Sequence, residues 1–108
     1  MSDMKRRESA FEDKYAHDAE MNFKAEARAS KLFGLWLAPQ LGLEGGEADA
    51  YAKGVVGANL EEDGFDDIIR YVMPDIQDKG LDISEHLINA KMAEFMSVAK
   101  AQLMEELE

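Results

Sequence analysis

The chain has 108 residues, the usual size of a single domain built around one hydrophobic core. It contains no cysteine, which excludes disulfides, thiol nucleophiles and zinc–thiolate sites. Its formal net charge of −11 disfavours nucleic acid and anionic lipid as partners, because a body of that sign repels phosphate groups.

The composition predicts an all-α fold. Hydrophobic residues make up 46% of the chain, only two prolines occur, and the good helix formers Ala, Leu, Met, Glu and Lys outnumber the β-branched residues. The longest apolar run, Leu32 to Pro39, is eight residues long, whereas a helix that spans a membrane needs ~20. No insertion into a membrane is therefore expected.

The first 18 residues have mixed charge and few apolar side chains. Met4, Phe11 and Tyr15 recur at spacings of seven and four, which gives one thin helical stripe. Because so thin a stripe buries little surface by itself, residues 1–18 are predicted to be a flexible arm, disordered or fraying in the free protein. Met1 to Lys31 carries seven charges of each sign, so the net charge of −11 belongs to the rest of the chain.

The remainder, residues 19–108, is predicted to be a bundle of four amphipathic helices. The first ends near Pro39, because proline disfavours helical geometry at the residue before it. Its apolar stripe comprises Met21, Ala25, Ala29, Leu32 and Trp36. The second begins near Glu47 and is weakened by Gly54 and Gly57, each costing about 1 kcal/mol relative to alanine. Its apolar face comprises Ala48, Tyr51, Val55 and Ala58.

The third and fourth helices follow Gly64 and Gly80. Pro74 is predicted to kink or end the third helix near Met73. Its stripe comprises Phe65, Ile69, Val72 and Ile76. Asp82 and Glu85 have the spacing of a capping box, so the fourth helix is predicted to begin there and to run to the C-terminus. Its stripe comprises Ile88, Met92, Phe95, Ala99 and Leu103.

The large apolar residues of these helices are the predicted core. Aromatic residues in helical stripes are more often core than contact surface, and the same holds for the branched aliphatic ones. The predicted core residues are Phe23, Leu32, Trp36, Tyr51, Val55, Ile69, Val72, Ile88, Met92, Phe95 and Leu103.

The sequence contains no recognisable catalytic or metal-binding pattern. Asn59 to Gly64 imitates the start of an EF-hand calcium loop, but Arg70 stands at its twelfth position, where the loop needs a bidentate glutamate. His17 and His86 lack the Glu-x-x-His spacing of a di-iron bundle, and solvent exposure is favoured for both. Nucleophile and nucleotide motifs are missing as well. We therefore predict no enzymatic activity, no metal and no cofactor.

Several stretches resemble a known family. The run YAHDAEMNFKAEAR from Tyr15 to Arg28, followed by Leu35-Trp36, is similar to the zeta subunit, the inhibitor protein of the alphaproteobacterial F-type ATP synthase. The likeness continues through Tyr51-Ala-Lys53, Val55-Val56 and Leu60-Glu-Glu62, and more loosely through the last helix, so it covers nearly the whole chain.

The resemblance implies a four-helix bundle with an N-terminal inhibitory segment that blocks ATP hydrolysis. The implied partners are the alpha, beta and gamma subunits of the catalytic head, and the implied location is cytoplasmic, peripheral to the inner membrane. The arm is predicted to form one helix with the first bundle helix and to insert between catalytic subunits and rotor. Its predicted partner-binding residues are Met4, Lys5, Arg6, Arg7, Phe11, Lys14, Tyr15, His17 and Asp18.

Two alternatives remain open on the residues alone. The bundle can be an adaptor whose acidic helices bind a basic partner, or it can hold a small ligand, since helix N-termini bind anions without any motif. His17 can titrate at about pH 5 to 8 and adjust binding, although an ordinary solvated role is favoured. The free protein is expected to be a monomer, because no long heptad seam is present.

Overall fold

The computed structural model describes the backbone of residues 2–59 and 65–107, and the side chains of residues 20–59 and 65–106. The described part contains four α-helices and no β-strand, which confirms the prediction of a small all-α bundle. The helices are α1 (Ser2–Leu37), α2 (Gly46–Asn59), α3 (Asp66–Asp78) and α4 (Glu85–Leu107), and a 3-10 helix, Ala38–Leu41, follows α1. None of these helices is long and apolar enough to cross a membrane.

Helix α1 is the longest of the described helices. It spans about 54 Å at 1.5 Å per residue, against a largest molecular dimension of 64 Å. Its second half places one fully buried residue on every turn, and these residues are Ala25, Ala29, Phe33 and Leu37. The helix ends at Leu37 as predicted, and Gly42, at φ 82°, donates its backbone N–H to the Pro39 carbonyl at 3.0 Å.

Helix α1 packs against both α2 and α4, and α3 packs against α2. The α1–α2 contact is closest at Gly34, where an added Cβ would lie 2.6 Å from the Cα of Ala52. Because backbone cannot yield as a side chain can, Gly34 is the residue that allows the two helices to approach. Further along, Val55 of α2 is fully buried in the core that they share.

Of the two effects predicted for Pro74, a kink or an end of the third helix near Met73, the end is wrong. Helix α3 continues through Pro74 to Asp78, and the N–H of Lys79 still donates to the Asp75 carbonyl at 3.2 Å. A proline inside a helix costs roughly 3 kcal/mol. Ile76 lies beyond the proline and is only 1% exposed, and the burial of its side chain offsets this cost.

The start of α4 also differs from the prediction. Ser84 is the capping residue, because its Oγ accepts the backbone N–H of Leu87 at 3.2 Å, and the helix begins at Glu85. Asp82, the predicted cap, lies two residues too early to reach the free N–H groups of the first turn.

Most of the predicted core residues are buried or packed against the core. Val55, Val72, Ile88 and Met92 are fully buried and Leu103 is 7% exposed. Partial burial is seen for Leu32, Trp36, Tyr51, Ile69 and Phe95. Phe23 is a correction, since its side chain is 57% exposed. It lies two turns before Ser30 on the same face of α1, beyond the point where Ser30 meets Asn59 at the end of α2, and this position leaves much of its ring exposed.

Candidate partner-binding surface

The predicted partner-binding residues all lie on the first half of α1. The backbone of Ser2 to Asp18 is helical and continuous with the bundle helix. The side chains of Met4, Lys5, Arg6, Arg7, Phe11, Lys14, Tyr15, His17 and Asp18 lie outside the described residues. Their roles, and the division into an arm and a bundle, stay predictions.

The second half of α1 is anchored to the end of α4 by an ion pair. The guanidinium of Arg28 donates to both carboxylate oxygens of Glu106, with Nη1–Oε1 at 2.6 Å and Nη2–Oε2 at 3.1 Å. Such a fork-to-fork pair fixes the relative orientation of its two helices better than a single contact does. The hydrogen bond from Arg28 lowers the pKa of the Glu106 carboxyl, and the same pair raises the pKa of Arg28.

A buried polar pair joins α1 to the end of α2. Asn59 donates its side-chain N–H to Ser30 Oγ at 2.8 Å, and the Ser30 hydroxyl donates to the Glu26 carbonyl at 2.7 Å. Asn59 is 4% exposed and therefore belongs to the core. This placement argues against the calcium loop that Asn59 would open, whose remaining residues 60–64 lie outside the described part.

A groove runs beside the exposed face of α1, next to the Arg28–Glu106 pair. Its volume is about 680 Å³, and three helices line it. The lining residues are Phe23, Lys24, Ala27, Arg28, Lys31, Lys53, Val56, Leu103 and Glu106. This surface is not among those predicted from the sequence, although Lys24, Arg28 and Lys31 follow a helical spacing of four and three, which is the signal for a basic stripe.

A second cavity of about 320 Å³ lies between α2 and α3. Tyr51 donates its hydroxyl to Asp75 Oδ2 at 3.2 Å, and the rings of Tyr51 and Tyr71 lie 6.0 Å apart. Burial, and secondarily the charge of Asp75, raises the pKa of Tyr51 well above its ordinary value, so the phenol stays neutral and acts as a structural donor.

The described residues offer no site for a metal. No group of three or more histidine, cysteine, aspartate or glutamate side chains converges within the described residues. His86 is exposed on the first turn of α4, as the sequence favoured.

The chain is similar to a known family and to a solved structure. The model of the family described as ATPase inhibitor subunit zeta matches residues 1–102. A structure determined by NMR in solution is 51% identical, covers 80% of this chain and 98% of that chain, and superposes with a TM-score of 0.68. No curated protein matches the chain. The family match extends over both the predicted arm and the bundle.

Proposed function

The chain belongs to the ATPase inhibitor subunit zeta family, and from this premise we propose that it stops ATP hydrolysis by the F-type catalytic head sterically, through its N-terminal arm. Membership of the family supports an inhibitory, regulatory role in association with ATP synthase. The proposal adds where the inhibitor acts and which part of the chain does so.

The observation that carries this proposal is the continuity of α1. The helix runs without a break from Ser2 to Leu37. Its second half is held in the core by the buried side chains of Ala25, Ala29 and Phe33. A helix held firmly at one end transmits force along its length. The bundle is therefore suited to anchor the arm and to set its direction.

The arm has the chemistry of a segment that inserts between subunits. Phe11 and Tyr15 stand one helical turn apart, and burial of two aromatic side chains would offset part of the cost of ordering the arm. Lys5, Arg6 and Lys14 supply cations that can reach carboxylates of the alpha and beta subunits. The mixed charge of the arm, with four cations against five carboxylates, distinguishes it from the acidic remainder of the chain.

The mechanism needs no chemistry on the inhibitor. The inserted helix occupies the interface between catalytic subunits and contacts the gamma subunit, so the rotor cannot turn in the hydrolytic direction. Association with ATP synthase would place the protein at the cytoplasmic side of the inner membrane.

The test is ATP hydrolysis by an isolated alphaproteobacterial head, measured with the full chain and with a version that lacks Met1 to Asp18. We expect inhibition by the full chain and at least a tenfold weaker effect of the truncated one. A full-length Phe11→Ser, Tyr15→Ser variant controls for the loss of chain length and should also inhibit poorly. Equal inhibition by the full and truncated chains would contradict the proposal.

A further inference from the structure

The groove beside α1 is a basic, partly apolar surface on an acidic protein. Four cationic side chains, Lys24, Arg28, Lys31 and Lys53, line it with one carboxylate, Glu106. The chain as a whole carries a formal charge of −11. The groove therefore has a local charge opposite to that of the molecule, which singles it out as a place where an anionic group would be attracted.

Two of the cations have no carboxylate partner among the described residues. Lys24 pairs with Glu20 at 3.2 Å, and Arg28 pairs with Glu106. Lys31 and Lys53 are both exposed, and no ion pair is formed by either within the described part of the chain. They lie on different helices, α1 and α2, and face the same groove.

Phe23 gives the groove an apolar element. Its ring is 57% exposed in the free protein. A partner that buried this ring would gain affinity, because buried aromatic side chains contribute strongly to protein contacts. Val56, which is partly buried, and Leu103, which is buried, add aliphatic surface to the same lining. An exposed aromatic anchor with cations around it is the usual anatomy of a protein contact, in which an apolar centre is surrounded by a polar rim.

We propose that this groove docks an acidic segment of the catalytic head, one that carries carboxylates for Lys31 and Lys53 and an apolar side chain for Phe23. Charge complementarity argues for an acidic occupant, and it argues against a second copy of this chain, whose charge would repel the first. Phe23 lies five residues beyond Asp18, or roughly 7.5 Å along the helix. An arm inserted up to Asp18 therefore brings the groove against the outer edge of the same interface.

This inference rests on the proposed function, because it names a second contact with the same partner. The arm supplies the block, and the groove supplies affinity and encounter rate. Contacts between exposed charges mainly change the rate of association and its dependence on salt. Loss of the groove should therefore weaken binding without abolishing inhibition at saturation.

The experiment compares two charge-matched double variants of the full chain. The test variant is Lys31→Glu with Lys53→Glu, and the control is Lys79→Glu with Lys100→Glu, which changes the net charge equally at exposed positions outside the groove. Binding to the isolated head is measured at low and high salt, beside inhibition of ATP hydrolysis. Circular dichroism verifies that both variants fold.

For the test variant we expect Kd to rise at least tenfold at low salt, with a smaller salt dependence and unchanged maximal inhibition. The control variant should stay within about twofold of the wild type. Phe23→Ala, whose side chain is exposed, should raise Kd without lowering the melting temperature.

Other outcomes overturn the docking proposal and are distinct from failure of the proposed function. If both double variants had equal Kd while the wild type still inhibited, the docking role of the groove would be contradicted and the proposed function would stand. Loss of ATP binding in the test variant, with unchanged binding to the head, would assign the groove to a small phosphate compound. Self-association of the wild type that the test variant lacks would assign it to a second copy. No binding by the wild type itself would contradict the proposed function.

Discussion

Two glycines lie where a neighbouring group closely approaches a helix, and they differ in what approaches. At Gly34 the neighbour is the backbone of Ala52, whereas at Gly54 it is the hydroxyl of Tyr71, the end of a side chain that is 42% exposed. Backbone in a packed interface cannot move away cheaply, but an exposed side chain can rotate aside.

Gly34→Ala should therefore lower the free energy of unfolding by about 1–3 kcal/mol, because the helices α1 and α2 must separate. Gly54→Ala should change it by less than about 1 kcal/mol, because better helix propensity offsets the displacement of Tyr71. Urea denaturation with an unchanged m value measures both. Equal destabilisation by the two variants would contradict the difference between backbone and side-chain neighbours.

The two aromatic residues Phe33 and Trp36 of α1 should differ in their contribution to stability. Phe33 is fully buried, whereas Trp36 is only partly buried, with Lys91 Nζ 5.4 Å from its ring centroid. Phe33→Ala should cost about 3–5 kcal/mol. Trp36→Ala should cost less than Phe33→Ala, because part of the ring is already in water. Chemical denaturation of both variants, followed by circular dichroism, is the measurement.

The Arg28–Glu106 pair predicts a change with pH. Because the hydrogen bond from Arg28 lowers the pKa of Glu106 in the folded state, the pair stabilises the fold above the ordinary glutamate pKa and ceases to do so as the pH falls through the lowered value. In Arg28→Gln the pKa of Glu106 should rise back towards the ordinary value of a glutamate. An NMR titration of the Glu106 carboxyl carbon measures this shift. An unchanged pKa would mean that the pair does not persist in solution.

At the scale of single helices, the start of α4 depends on Ser84. Ser84→Ala removes the acceptor for the N–H of Leu87 and should cost about 1 kcal/mol of stability. Asp82→Ala serves as the control and should stay within about 0.5 kcal/mol, as surface substitutions usually do. Thermal unfolding of both variants tests the assignment. A larger loss of stability in Asp82→Ala than in Ser84→Ala would show that Asp82 is the cap, as the sequence predicted.

Helix α3 shows why local rules failed at Pro74. The rule concerns the hydrogen bond that proline removes and the clash with the preceding turn, both of which are local. The fold adds contacts beyond the proline, namely the buried Ile76 and the hydrogen bond from Tyr51 to Asp75. The hydrogen bond comes from a different helix and Ile76 belongs to the shared core, so no window of sequence around Pro74 reveals either.

At the scale of the whole molecule, the arm should contribute little to the stability of the bundle. Among the side chains that the structure describes, the core cluster starts with Ala25, with Met21 packed against it, and includes residues of all four helices. Removal of Met1 to Asp18 should therefore change the melting temperature by no more than about 2 °C, which corresponds to a few tenths of a kcal/mol for a chain of this size. Calorimetry of the full and truncated chains measures this, and a large decrease would mean that the arm is part of the folded bundle.

The candidate surface was only partly predictable. The basic stripe of Lys24, Arg28 and Lys31 is visible in the sequence as a helical spacing, but Lys53 stands on another helix. Phe23 was expected in the core, because an aromatic residue in an amphipathic helix usually lies there. Its exposure follows from its position along α1, beyond the point where α2 ends against Ser30, and only the packing of the two helices decides that position.

The sequence by itself determined the helical class, the end of α1 before Pro39 and the family, because helix propensity, proline geometry and a run of matching residues are all local properties. Tertiary structure alone decided that Ala52 approaches α1 closely at Gly34. It also decided that Ser30 pairs with Asn59 and that Lys31 and Lys53 face one groove. Each of these joins residues distant in the chain, and only the packing of one helix on another fixes which of them meet.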